Sequence, residues 1–123
     1  MKKRNGLFFA LACLLISCGR HNNHNTQISY KDKRNIYSMH AHFDKNKTRA
    51  VEHFMNNAIG RKSNVSFTNM VTDATITLDD GTNFYMKKSP GELEIELDKN
   101  KNSSISYYTV KSMCEGIKEV ILD

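Results

Sequence analysis

A small two-layer α+β domain is the fold class this sequence predicts: an N-terminal helix, an antiparallel β-meander of three or four strands, then a C-terminal helix. Three observations predict it. Apolar residues alternate with polar ones in Ala74/Ile76/Leu78, Phe84/Met86 and Leu93/Ile95/Leu97, the period of half-buried strands. Two tight-turn signals, Asp79-Asp80-Gly81 and Ser89-Pro90-Gly91, separate those runs. Apolar residues recur at helical spacing on either side of the meander, and two amphipathic helices need a common sheet face on which to bury their stripes.

The elements follow in order. Gly19 to about Arg34 is rich in Asn, His, Lys and Gln, too polar to offset its ordering entropy, and is expected to be a mobile tether. Ile36 to Phe43 leads to Asp44, a good helix N-cap. Ala50, Val51, Phe54, Met55, Ala58 and Ile59 then form one face of an amphipathic helix, with Gly60 expected at its end as the left-handed C′ residue. Val65, Phe67 and Val71 are expected on one face of a first strand, and Ala74, Ile76 and Leu78 on the next. Asp79-Asp80-Gly81 suits a hairpin turn with positive φ, and Phe84 and Met86 face the core beyond it. Ser89-Pro90-Gly91 makes a second turn, with proline at its first central position and glycine supplying positive φ. Strict alternation in Glu92 to Asp98 sends Leu93, Ile95 and Leu97 inward. Ser103 or Ser104 can cap a last helix whose stripe is Ile105, Tyr108, Val110, Met113, Cys114, Ile117, Val120 and Ile121; Gly116 weakens it by about 1 kcal/mol against alanine.

The start of the chain is organised differently. Lys2, Lys3 and Arg4 precede ten uncharged residues, Leu7 to Ile16, the layout of a secretory signal. Ten is half of the roughly 20 apolar residues a spanning helix needs. Leu15-Ile16-Ser17-Cys18 follows directly, and here the chain resembles bacterial lipoproteins, whose signal ends in a lipobox of this pattern. An ordinary cleaved signal would share the basic start and apolar run; the small residue and cysteine are what the resemblance adds. It covers only about the first 20 residues, and it implies cleavage before Cys18, acyl chains such as palmitate on that residue, and anchorage to a membrane. The expected organisation is therefore 1–17 signal peptide, 18–35 flexible tether and 36–123 a single α+β domain. The expected location is the cell envelope, periplasm included, on a bacterial membrane, with the outer membrane preferred and the side of the membrane left open. Several buried acyl chains, at about 0.8 kcal/mol per CH₂, would hold firmly.

Loss of the signal changes the charge. Lys plus Arg falls from 18 to 15 against 13 acids, so the net charge drops from +5 to +2. The remainder is polarised, with nine bases and three acids before Asn64 and six bases and ten acids from there on. This gradient could orient the domain on an anionic lipid surface. Of the three cysteines, Cys13 leaves with the signal and Cys18 would be acylated. Cys114 is then alone, and the fold must stand on its core without an internal disulfide. Cys114 lies on an apolar helical stripe, which reads as a buried small hydrophobe, with an intermolecular disulfide as the alternative.

No motif for chemistry stands out. There is no P-loop and no Rossmann glycine pattern, and an exported chain of low net charge does not fit nucleic-acid binding. His40, His42 and His53, with Glu52 or Met39, could hold zinc or copper, but surface histidines explain them as well, and no metal or other cofactor is expected. Cys114 lacks a neighbouring base and an electropositive setting for a nucleophile. The row Glu92, Glu94, Glu96 and Asp98 could suggest paired carboxylates, but strict alternation explains it as the wet side of a strand. The expectation is a non-catalytic binding or structural module with a protein partner in the envelope, in contact through Thr75, Thr77, Tyr85, Glu94 and Glu96 on the open sheet face, or through a strand edge. The alternatives are an inhibitor or accessory factor of an envelope enzyme or host protein, inserting the two hairpin tips, and a weak metal-capture protein.

Overall fold

A computed structural model describes residues 26–123. The fold is α+β: five antiparallel strands, β1 (Gln27–Asp32), β2 (Ile36–His42), β3 (Thr72–Thr77), β4 (Asn83–Ser89) and β5 (Glu92–Asp98), stand in the order β1-β2-β5-β4-β3. Two helices cover one face. α1 (Thr48–Met55) lies in the middle of the chain and continues through a π-helical turn (Asn56–Gly60) into a last turn, Arg61–Ser63. α2 (Ser104–Leu122) is C-terminal and packs against α1.

The first helix is thus preceded by two strands, and the sheet has one strand more than the largest number expected. Neither β2 nor β1 was among the strands expected, whereas the stretch 64–71 was; β1 lies within the stretch 18–35 expected to be a tether, of which residues 18–25 lie outside the described ones. Its inward positions, Ile28 and Tyr30, oppose Ala41 and Met39 of β2, which supply the apolar contact that composition alone denied it. Tyr30 is still 40% exposed, as suits an edge strand. A polar clasp fixes the strand's far end: the Asp32 carboxylate accepts hydrogen bonds from Lys99 Nζ and the Tyr107 hydroxyl, both at 2.6 Å. Lys99 also lies over the Tyr107 ring, 4.4 Å from its centroid, a cation–π contact. Partial burial alone would raise the Asp32 carboxyl, but the hydrogen bonds from Lys99 and Tyr107 outweigh it and hold it below its ordinary value.

The core lies between sheet and helices. Tyr37, Met39 and Ala41 from β2, Phe84 and Met86 from β4, and Leu93, Ile95 and Leu97 from β5 meet Val51, Met55 and Ile59 of the first helical segment and Val110, Met113, Cys114, Ile117 and Ile121 of α2. The alternation expected for β4 and β5 is present, and so is the stripe of α2 from Val110 onward. Ile105 and Tyr108 depart from it: they are 75% and 62% exposed, because the inward position of the first turn is held by Ser106, which is buried against Thr82 with the two hydroxyls 2.6 Å apart.

The turns have their expected chemistry. Gly81 has φ +91° and Gly91 φ +77°, values that cost an L side chain energy. Asp44 caps the helical entry by accepting from Asn46 N at 2.9 Å, although the turn it caps is 3₁₀, Lys45–Lys47. Ser103 caps α2 by accepting from Ser106 N at 3.0 Å.

Gly60 does not have its expected role. Its φ is −61°, ordinary right-handed helix, and the left-handed residue that ends the segment is Asn64, φ 57°. What excludes a side chain at Gly60 is the following loop: Val65 N donates to Gly60 O at 2.9 Å, and a Cβ on Gly60 would lie 2.5 Å from the Val65 carbonyl oxygen. The same loop removes the first strand expected from the sequence. Residues 64–71 are irregular, with Phe67 buried, Val65 partly buried and Val71 72% exposed.

Gly116 has a packing reason too. The Phe54 ring of α1 lies over it, so that an alanine Cβ would come within 2.1 Å of Phe54 Cζ. Gly116→Ala should therefore not show the gain of about 1 kcal/mol that alanine gives an open helix; overpacking of about 1–3 kcal/mol should leave the variant less stable. Denaturant melts of Gly116→Ala with and without Phe54→Leu check this, because trimming the ring should return the helical gain.

Candidate functional site

The face of the sheet opposite the helices has no covering element among the described residues, and strand register fixes what it displays. One row across it reads Lys31, Ser38, Glu96, Tyr85, Thr75; the next reads Ser29, His40, Glu94, Lys87, Asp73. Thr77 follows on β3 opposite Asn83. The five residues expected at a contact surface, Thr75, Thr77, Tyr85, Glu94 and Glu96, therefore share one face. Thr75, Tyr85 and Glu96 also line a shallow cleft of about 430 Å³ at the end of the face where Ile36, Asp98 and Lys101 lie; Thr77 and Glu94 are outside it.

Charge on this face is one-sided. Five carboxylates, Asp73, Glu92, Glu94, Glu96 and Asp98, stand against two lysines, Lys31 and Lys87. Glu94 and Glu96 make no ion pair with another described residue. Tyr85 donates its hydroxyl proton to Asp73 Oδ1 at 2.7 Å, and that bond pushes the phenol up to about 12. The ring is thereby held in place as an aromatic surface among acids, and tyrosine supplies contact area at low entropic cost.

The metal alternative loses its geometry. His40 and His42 project from β2 onto the open face, and His40 Nε2 is 3.5 Å from Glu92 Oε2. His53 is exposed on α1, in the layer behind the sheet, beside Asn57 at 3.2 Å. Among the described residues no three His, Cys, Asp or Glu side chains come together as metal ligands. The two hairpin tips, Asp79 to Thr82 and Ser89 to Gly91, lie at opposite ends of β4.

Cys114 is fully buried. Burial pushes its thiol up to about 12 from an ordinary 9.0, so no appreciable thiolate exists at neutral pH. Near neutral pH the folded protein should resist iodoacetamide, and labelling should begin only with unfolding; rapid labelling of the folded chain would contradict this burial. The folded thiol keeps its proton at a pH where the unfolded one loses it, so this group withdraws stability as pH rises above about 9.

A feature the sequence reading missed lies on the helix-covered side. Lys88 of β4 and Glu52 of α1 are buried, 3% and 4% exposed, and form an ion pair of 2.5 Å. Lys88 also donates to the Met70 carbonyl at 2.7 Å, which fastens the 64–71 loop. The signal was present: Lys88 stands at the inward position after Phe84 and Met86, and Glu52 beside Val51 on the stripe of α1.

Fold and face together define a two-layer α+β domain with an uncovered acidic sheet surface. The chain matches no family model, no curated protein and no solved structure. Cys18 and the rest of Leu15-Ile16-Ser17-Cys18 lie outside the described residues. No helix among the described residues is long and apolar enough to cross a membrane.

Proposed function

We propose that this chain is a lipid-anchored protein of a bacterial envelope, held at Cys18, that works as a non-catalytic binding module. Its open sheet face is the contact surface, and the partner presents a cationic surface to it. The observation that carries the reading is the convergence of Thr75, Thr77, Tyr85, Glu94 and Glu96 on one uncovered face with an excess of three negative charges among its carboxylates and lysines. Complementary charge steers encounter and rejects like-charged partners, and a lipid anchor raises effective concentration for neighbours on the same membrane. A charged rim around one ordered tyrosine also fits the way a few aromatic anchors carry interface energy.

Two measurements test this reading. Intact-mass analysis of the natural product should find residues 1–17 removed and acyl groups on Cys18; an unmodified thiol there defeats the anchoring. Titration with lysine- and arginine-rich peptides should shift backbone amide signals of β3, β4 and β5, and Glu94→Lys with Glu96→Lys should abolish the shifts without changing the melt. Shifts confined to the helices would defeat the sheet-face assignment.

A further inference from the structure

We propose that the cleft between the start of α1 and the 64–71 loop is a binding site for a phosphate group. It has a volume of about 390 Å³ and is lined by Lys45, Asn46, Arg49, Asn69 and the Glu52–Lys88 pair, a size at the lower end of small-molecule sites. The buried pair lies at its floor and the two remaining cations at its rim. Lys88 neutralises Glu52 across 2.5 Å, which leaves Lys45 and Arg49 uncancelled, since neither makes an ion pair with another described residue. The lining thus has a balance of two positive charges, which attracts an anionic phosphate, whether monoester or diester. The donors suit that ligand: a guanidinium fork, ammonium groups and side-chain amides.

An apolar pair of similar volume would fill the same space without the desolvation cost of two ions, but it would leave the cleft without a fixed ammonium at its base. Lys88 is held in place by Glu52 and the Met70 carbonyl, so its charge is positioned before any ligand arrives. The net positive charge comes from Lys45 and Arg49, which are exposed at the rim.

The phosphate has two possible sources. The chain enters β1 at Gln27, opposite His42 and just before the turn that contains Lys45, so the cleft lies at the end of the domain where the chain leads back toward Cys18. A phospholipid headgroup is within reach if the anchor is present; a soluble phosphate ester needs no anchor. The site itself is independent of the sheet-face reading, which it can outlive.

The test is titration of the purified protein with inorganic phosphate and with glycerol phosphate, followed by calorimetry or phosphorus NMR. In parallel, co-sedimentation with vesicles of phosphatidylcholine, with and without phosphatidylglycerol, reads the headgroup. Saturable binding of the soluble ions that weakens about tenfold or more in Arg49→Gln and Lys45→Gln, and not in Lys101→Gln at the opposite end, supports a soluble phosphate. The same variant pattern seen only with phosphatidylglycerol vesicles supports the headgroup. The proposal is overturned if neither probe binds, if Arg49→Gln and Lys45→Gln bind like the parent, or if Lys101→Gln loses as much as they do.

Discussion

Glu52→Ala should destabilise the fold by about 3–5 kcal/mol, the cost of stranding a buried charge. Lys88 is 3% exposed, and without Glu52 its ammonium would retain only the Met70 carbonyl as a partner at 2.7 Å. Glu52→Gln should cost less, because the amide oxygen still accepts a hydrogen bond. The paired replacement Glu52→Leu with Lys88→Met removes both charges, so it should recover most of the loss, since an apolar pair of similar volume often does as well as a buried ion pair. The coupling between the two sites, read from denaturant melts of the single and double variants, is the decisive quantity. A cost under about 1 kcal/mol for Glu52→Ala would mean that Lys88 escapes to water through the adjacent cleft, and that the pair does not hold the loop.

Gly60→Ala is expected to cost about 2–3 kcal/mol, in a position where alanine would ordinarily stabilise a helix by about 1 kcal/mol. The methyl would lie 2.5 Å from the Val65 carbonyl oxygen, a backbone atom that can yield only by moving the loop. Such a move threatens the Val65 N to Gly60 O hydrogen bond, the seating of buried Phe67, and the Phe67 N to Asn56 Oδ1 bond of 2.7 Å. Overpacking and a weakened hydrogen bond together exceed the helical gain. Asn64 separates this account from a conformational one: it holds the left-handed backbone at φ 57°, so Asn64→Gly should be neutral or mildly stabilising. An unchanged or raised melting temperature in Gly60→Ala would show that the loop has room.

Legibility of the sequence followed burial. β4, β5 and most of α2 each have one face in the core and one in water, so periods of two and 3.6 were plain. The two hairpin turns were legible because positive φ restricts their residues to a few types. β1 was not, because an edge strand with five of six residues exposed has no apolar alternation beyond Ile28 and Tyr30. Its partner is β2, whose small inward residue Ala41 gives a weak signal. Val65, Phe67 and Val71 misled for the opposite reason: their spacing matched a strand, but only Phe67 is an anchor and the others follow a loop path. Gly60 was legible as a necessary glycine but not as a close contact, which depends on where a later segment returns.

The open face was legible in outline, since Thr75, Thr77, Tyr85, Glu94 and Glu96 were outward positions of recognisable strands. The neighbours of that face were not, because strand order places β2 beside β5, and only this order brings His40 opposite Glu94. The Glu52–Lys88 pair joins α1 to β4 across 36 residues, and local periodicity has no information at that range. Two opposite charges at inward positions of separate elements were its only trace.

Site-specific photo-crosslinking in living cells tests the binding-face account most directly. A photoreactive residue at Thr75 or Thr77 should give a discrete protein adduct in the cell envelope, and Glu94→Lys with Glu96→Lys should remove it, whereas the same group at Ser112 on the outer side of α2 should give none. Adducts from Ser112 alone, or adducts at Thr75 and Thr77 that persist when both charges are reversed, would contradict it.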